Sequence, residues 1–299
     1  MSKKLQADLM LAMVALFWGA SNFIQTICLK EITPLTLVML RFLVASIALG
    51  ILCHKRLHHI SAASLRWAFV MGIFLAANFF FCTIGLANTT ISNTGFFCGL
   101  AVVFTPIAEW LFFRKRPSRK VFLVLLMCFA GFFLMTMQGD FTLNTKTLFG
   151  DILCICCSVS YTVNILLTER AVQREDTDAF QMGVLQIFFC CLFGIVFAFL
   201  FSTPALPKSG AAWAGIVFVG LFCTAIAFVV QPIAQQHTTG THTSLILTLE
   251  PVFCAFIAYF LANEVYALHN YIGMGLLLAG ILIIELDPAE LHEEIEKET

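Results

Sequence analysis

The feature that most constrains this chain is a succession of apolar runs about 20 residues long, with charged residues confined almost wholly to the short segments between them. Of its 299 residues, 60% are hydrophobic and 12% charged, and the mean hydropathy is +0.92. A soluble domain carries roughly 45–50% apolar and about 25% charged residues, so one core of ordinary size cannot hide this much apolar surface. Lipid is the expected solvent. That excludes a sizeable soluble domain, and with it most soluble enzyme classes and nucleic-acid binding. The net charge of −1 says nothing of partners, because the position of each charge matters more than the sum.

Runs bounded by charge, Pro, Gly or Asn clusters predict ten spans: Leu9 to Leu29, Pro34 to Cys53, Trp67 to Ala87, Asn93 to Phe113, Val121 to Met137, Leu148 to Leu167, Phe180 to Phe201, Ala212 to Ile233, Thr243 to Leu261 and Asn270 to Glu285. Continuously apolar segments of this length are helices, whereas barrel strands alternate over about 10 residues. Lys3 and Lys4 precede a first run longer than a signal-peptide core of roughly 7–15 residues and without a clean cleavage site, so a retained first span is expected. The 12 cysteines lie almost entirely inside the apolar runs, where Cys acts as a small soft hydrophobe rather than as a disulfide framework.

Lys and Arg set the orientation. With the N-terminus inside, the inner segments hold 13 of the 17 and the outer loops hold 3, namely Lys30, Lys146 and Lys208, while Arg41 lies within a span. This asymmetry independently predicts an even number of spans with both termini cytoplasmic. The acidic end, residues 287–299, reads as a solvated tail.

Internal duplication is visible at offsets near 145 residues: Thr94-Gly95 aligns with Thr239-Gly240, Thr105-Pro106 with Glu250-Pro251, Trp18 with Tyr161, Leu9 with Ile152, and Ala130-Gly131 with Ala279-Gly280. Residues 1–144 and 145–286 are thus expected to be repeats of five spans each. An odd number per half makes the second repeat enter the membrane from the opposite side. The predicted fold is an all-α membrane protein of ten transmembrane helices in two inverted five-helix repeats. Inverted repeats of this kind rock about a midplane site in alternating-access carriers.

Trp18-Gly19-Ala20-Ser21-Asn22, Arg41-Phe42, Thr105-Pro106, Gly150-Asp151, Glu250-Pro251, Asn263-Glu264, and Gly273 with Gly280 resemble, in order and spacing, the drug/metabolite transporter superfamily in its ten-span EamA branch. The resemblance runs from about Leu9 to Glu285 and implies two EamA repeats in a multi-pass plasma (inner) membrane protein that exports or exchanges small metabolites. In one departure, Phe112-Phe113-Arg114-Lys115-Arg116 stands where family members often carry a Gly-Glu-Arg-like turn, which puts a carboxylate role there in doubt.

Ionisable groups inside a span are costly and mark functional candidates. Arg41 lies seven residues past Pro34, about 10 Å below the outer surface, and Glu250 seven past Thr243, about 10 Å above the inner one. They are either a buried structural pair or the groups that bind an anionic or zwitterionic substrate or exchange a proton. Glu109, nearer the cytoplasm, is expected to pair with the Arg114 to Lys120 cluster. Pro106 and Pro251 occupy matching places and are expected to kink their helices as gates or cavity wall. Gly95 and Gly99 form a small-xxx-small pair suited to close helix packing. Asn22, Gln25, Asn78, Asn164, Gln186 and Gln231 are candidate cavity hydrogen-bond partners, with Trp18 and Tyr161 as aromatic walls. His237 and His242 read as short-loop polar residues near the inside.

A secondary active carrier of an amino acid, nucleoside or drug-like compound is expected, a monomer needing no cofactor or metal. Proton exchange is favoured as its energy source only because an intramembrane carboxylate is present and a nucleotide-binding Gly-x-x-x-x-Gly-Lys motif is absent. The rival readings are an intramembrane enzyme, which lacks a base for Ser21 and a His-Glu-x-x-His run, a channel, which lacks a filter loop, and a non-transporting sensor or scaffold.

Overall fold

A computed structural model of the protein describes residues 3–57, 60–89, 91–114, 117–136, 147–262 and 267–285. Asn263, Glu264, Lys146 and the acidic tail lie outside them. The described residues form thirteen α-helices and one π segment, with no strand among them: α1 (Lys3–Cys28), α2 (Pro34–Cys53), α3 (Ala62–Asn88), α4 (Ile91–Gly99), α5 (Ala101–Phe113), α6 (Arg119–Thr136), α7 (Leu148–Val172), α8 (Ala179–Phe201), α9 (Gly210–Gly220), the π segment Leu221–Ile226, α10 (Ala227–Gln235), α11 (Gly240–Leu247), α12 (Leu249–Ala262) and α13 (Leu268–Glu285). Eight helical stretches among the described residues are long and apolar enough to cross a membrane, with the shorter apolar Leu268–Ile283 besides.

Local sequence explains where the helices begin. Thr33, Ser61, Asp178, Ser209 and Thr239 each stand at an N-cap, in extended backbone, and accept a hydrogen bond from the N–H three residues on. Such caps satisfy amides that the helix leaves unpaired. The first, third and sixth apolar runs understate their helices: α1 starts at Lys3, α3 at Ala62, and α7 continues to Val172. Amphipathic turns extend these helices past the apolar stretch that hydropathy detects.

The fourth and ninth runs are discontinuous. α4 passes to α5 through Leu100, and α11 to α12 through Thr248. Expected kinks at Pro106 and Pro251 are displaced upstream: Pro106 lies inside α5, and Pro251 is the third residue of α12. A proline disturbs the turn on its N-terminal side, and its missing N–H is harmless in a first turn. The Thr248 break is closed by its backbone N–H and its hydroxyl, which donate to the Leu245 carbonyl at 3.0 and 2.6 Å.

The helices from the two halves of the chain interleave. α1 packs on α12, and α7 on α4 and α5; α3 packs on α7 and α8, while α9 packs on α1 and α2, and α10 on α1; α2 packs on α8, and α6 on α13. The largest buried cluster joins α2, α3 and α8 through Phe42, Leu75, Phe80 and Ile187. A second joins the α4–α5 and α11–α12 regions through α6 and α13.

Candidate functional site

On α1 the residues Trp18, Ser21, Asn22 and Gln25 recur at the spacing of one helical face. That face connects the two charged candidates. Asn22 Nδ2 donates to Glu250 Oε1 at 2.9 Å, and one turn on, Gln25 Oε1 accepts from Arg41 Nη1 at 3.5 Å. Gln25 is itself held by Ser21, its Nε2 donating to the Ser21 hydroxyl at 2.9 Å. Asn22 is solvent-exposed although it stands in the body of an apolar helix and reaches across to α12. Such a position fits a polar cavity between α1 and α12.

Arg41 is 3% exposed. Its Nε donates to Thr224 Oγ1 at 2.9 Å and its Nη2 to the Cys223 carbonyl at 3.3 Å. Trp18 Nε1 donates to the same carbonyl at 3.1 Å. Both acceptors belong to the π segment, and π-bulges recur at functional sites because the wider turn re-aims backbone groups. The guanidinium also lies 4.9 Å from the centre of the Phe79 ring, a cation–π contact that offsets part of the cost of burying the charge. Among the described residues, Arg41 and Glu250 are not within ion-pair distance of each other. The sequence alternative of a direct buried pair is therefore replaced by two charges, on α2 and α12, held by successive amides of α1.

Two glycines fix this spacing. A Cβ on Gly19 would lie 2.8 Å from the Cys254 amide nitrogen and 2.9 Å from the Glu250 carbonyl, so only glycine lets α12 approach α1 at Glu250. A Cβ on Gly220 would lie 2.8 Å from Val44 Cβ and 3.0 Å from the Arg41 carbonyl, so the π segment meets α2 on the same terms.

Tyr161 joins the group. Its ring stands edge-on to Trp18 at 5.8 Å, and its hydroxyl donates to Gln231 Oε1 at 3.4 Å. Gln231 is buried and continues to Gln235, which donates to the Ile165 carbonyl. Asn78 donates to the carbonyl and sulfur of Cys157. Asn164 and Gln186 are buried between helices instead: Asn164 Nδ2 donates to the Met71 carbonyl at 2.9 Å, and Gln186 Nε2 to the Phe228 carbonyl at 3.1 Å. Pro106 and Pro251 have the backbone positions given above. Thr224, Cys223, Phe79 and Gly220 carry no sequence signal that separates them from ordinary apolar-span residues.

Two expectations at the α11 end of the molecule are corrected. His242 is not a loop residue: it lies in α11, 3% exposed, with Nε2 2.9 Å from Asp8 Oδ1. The described contacts of Glu109 run to the first turn of α11 rather than to the basic cluster, its carboxylate accepting from the Thr241 N–H at 3.0 Å and the Thr241 hydroxyl at 2.5 Å. Exposed amides at a helix start attract carboxylates more firmly than flexible solvated cations do.

Apolar helices of membrane-crossing length, interleaved around a polar interior, define a multi-pass α-helical membrane protein. The chain belongs to the EamA-like transporter family, whose model matches residues 5–137 and 148–286. A protein of Archaeoglobus fulgidus described as an uncharacterized transporter is 26% identical over 284 residues, covering 95% of this chain and 87% of the relative. The uncharacterized transporter YwfM of Bacillus subtilis is 23% identical, covering 94% of each chain. A solved crystal structure superposes with a TM-score of 0.80 at 18% identity, over 94% of this chain and 96% of that one, a likeness of fold. Family and relatives identify a membrane transporter.

Proposed function

We propose that the protein is a secondary active carrier that exports or exchanges a small polar metabolite by alternating access, built from ten spans in two inverted five-helix repeats with both termini cytoplasmic. Paired packing supports the repeat. The first span meets the ninth as the sixth meets the fourth, the third meets the sixth as the eighth meets the first, and the second–seventh and fifth–tenth contacts are their own counterparts. The family model also matches once on each side of the boundary at residues 144 and 145.

The observation that carries the functional reading is the α1 stripe, whose one face presents an indole and two amides, Asn22 and Gln25, that hold the charges of α12 and α2. A guanidinium has five N–H donors, and the protein engages three through Gln25, Thr224 and Cys223. Arg41 thus retains donors for an anionic group, while Glu250 offers a carboxylate to a cationic group or a proton. A zwitterion such as an amino acid satisfies both. Trp18 and Tyr161 would wall the substrate, and the outward-to-inward exchange of the cavity would turn on the discontinuous fourth and ninth helices, with Pro106 and Pro251 beside the breaks.

Counterflow in proteoliposomes tests the reading: a panel of labelled amino acids, nucleosides and amphipathic compounds should include one whose uptake is driven by the same compound inside. Arg41→Ala and Glu250→Ala should each abolish that uptake. Wild-type rates in both would remove the two residues from the mechanism. Uptake indifferent to an imposed pH gradient would refute proton coupling and leave the carrier.

A further inference from the structure

The offset of 143 residues that lays Leu9 on Ile152 also lays Asp8 on Asp151. Both are buried acids near the start of the first helix of their half, 8% and 2% exposed. Each reaches into the other half, toward the start of its fourth span. Asp8 on α1 is bonded to His242 on α11 at 2.9 Å. Asp151 on α7 accepts from the hydroxyl of Thr89, the C-cap of α3 in the corner that leads to α4, and from Thr147 at 3.2 Å. Two sequence-equivalent acids thus make two reciprocal cross-half contacts, one at each end of the molecule.

The packing around each contact is close, against side-chain carboxylates at one end and backbone at the other. At the Asp8 end, Glu169 Oε2 accepts from the Gly240 N–H at 3.0 Å and Glu109 from Thr241, so carboxylates from α1, α5 and α7 converge on the first three residues of α11. A Cβ on Gly240 would lie 2.8 Å from Glu169 Oε2 and 2.9 Å from Glu109 Oε1. At the Asp151 end, a Cβ on Gly150 would lie 2.6 Å from the Asn88 carbonyl carbon. α4 and α11 are the short half-helices upstream of the breaks at Leu100 and Thr248, the segments that can tilt without moving the whole span.

We infer that the Asp8–His242 and Asp151–Thr89 contacts are a matched pair of latches, each holding one mouth of the carrier shut by tying the chain at the start of a short half-helix to the opposite repeat. The inference rests on the alternating-access reading above. In the state open to the cytoplasm the Asp8 latch is broken and the Asp151 latch kept, and in the state open outward the reverse holds. The breaks let each half-helix swing while α5 or α12 stays packed.

Hydrogen–deuterium exchange on the full chain in lipid nanodiscs tests this without a known substrate. Asp8→Asn should raise exchange across residues 240–247 about tenfold, the equivalent of about 1.4 kcal/mol, and lower it across residues 91–99. Asp151→Asn should do the reverse. A rise confined to the end carrying the substitution, with the far end unmoved, overturns the latch pair and reduces each acid to a local helix tie. His242→Gln, which keeps a polar partner and adds no buried charge, should repeat the Asp8→Asn pattern, and Thr89→Val that of Asp151→Asn; agreement within each pair supports the latches even where one variant folds poorly, and disagreement overturns them. Failure of the latches leaves wild-type counterflow intact, whereas failure of the carrier reading removes the counterflow itself.

Discussion

Arg41 and Glu250 stood out in the sequence because a charge inside an apolar run has no inexpensive explanation. Their α1 partners Asn22 and Gln25 stood out with them as polar residues in an apolar run, but Thr224 and Cys223 did not, being ordinary residues of a membrane helix until a π turn aims them at a guanidinium. Thr224→Val tests that support directly. It keeps the volume but leaves the Arg41 Nε donor without its acceptor, a loss of about 1–3 kcal/mol that thermal unfolding in detergent should register. The glycines give a sharper pair. Gly19→Ala places a methyl against the backbone of α12 at Cys254 and Glu250 and should cost about 1–3 kcal/mol through overpacking. Gly275→Ala on α13 meets nothing within 4 Å, so helix propensity alone should stabilise the protein by up to about 1 kcal/mol. Equal melting shifts for the two would refute the close-approach argument. Sequence alone could not separate these glycines, because what differs is the neighbour across the helix interface.

Element boundaries were legible where chemistry marks them and blurred where geometry does. Pro34 after Thr33 reads as a helix start from sequence, and α2 begins there. By contrast, the breaks at Leu100 and Thr248 fall upstream of the prolines that advertise them, and the π segment has no sequence mark. One start is reinforced from a distant loop: Glu31 Oε2 accepts from the Lys208 and Ser209 N–H groups at 2.7 and 3.0 Å, just before α9. Hydrogen bonds from Ser209, with that from the Lys208 amide, hold the Glu31 carboxyl below its ordinary value of 4.5. A carboxyl depressed in the folded state stabilises above its unfolded pKa, and that stabilisation is lost as pH falls through the folded value. The tie between this loop and α9 should therefore be intact at neutral pH and weaken progressively below about pH 4.5. Glu31→Gln should flatten that acid branch of the melting temperature; a profile identical to wild type would show that the cap contributes nothing there.

At the scale of the molecule, hydropathy delivered the helical class. What periodicity could not deliver was which faces meet across the two halves, since nearly every face of these helices is apolar and the polar exceptions are few. Charge placement makes the strongest prediction at this scale. Thirteen of the 17 Lys and Arg fall in segments assigned to the cytoplasm, and short-loop Lys and Arg set orientation during insertion. Reporter fusions that fluoresce only in the cytoplasm should therefore report after Glu285 and in the loop between α7 and α8, where Arg174 sits beside Asp176. Fusions in the loop between α8 and α9, which carries Lys208, should be silent. The test reaches further than orientation, because an odd number of spans in each half is what inverts the second repeat. A C-terminal fusion reporting from outside would overturn the assignment of that end to the cytoplasm, whereas a silent fusion between α7 and α8, six spans from a cytoplasmic N-terminus, would remove the inversion and take with it the equivalence of Asp8 with Asp151 at opposite faces.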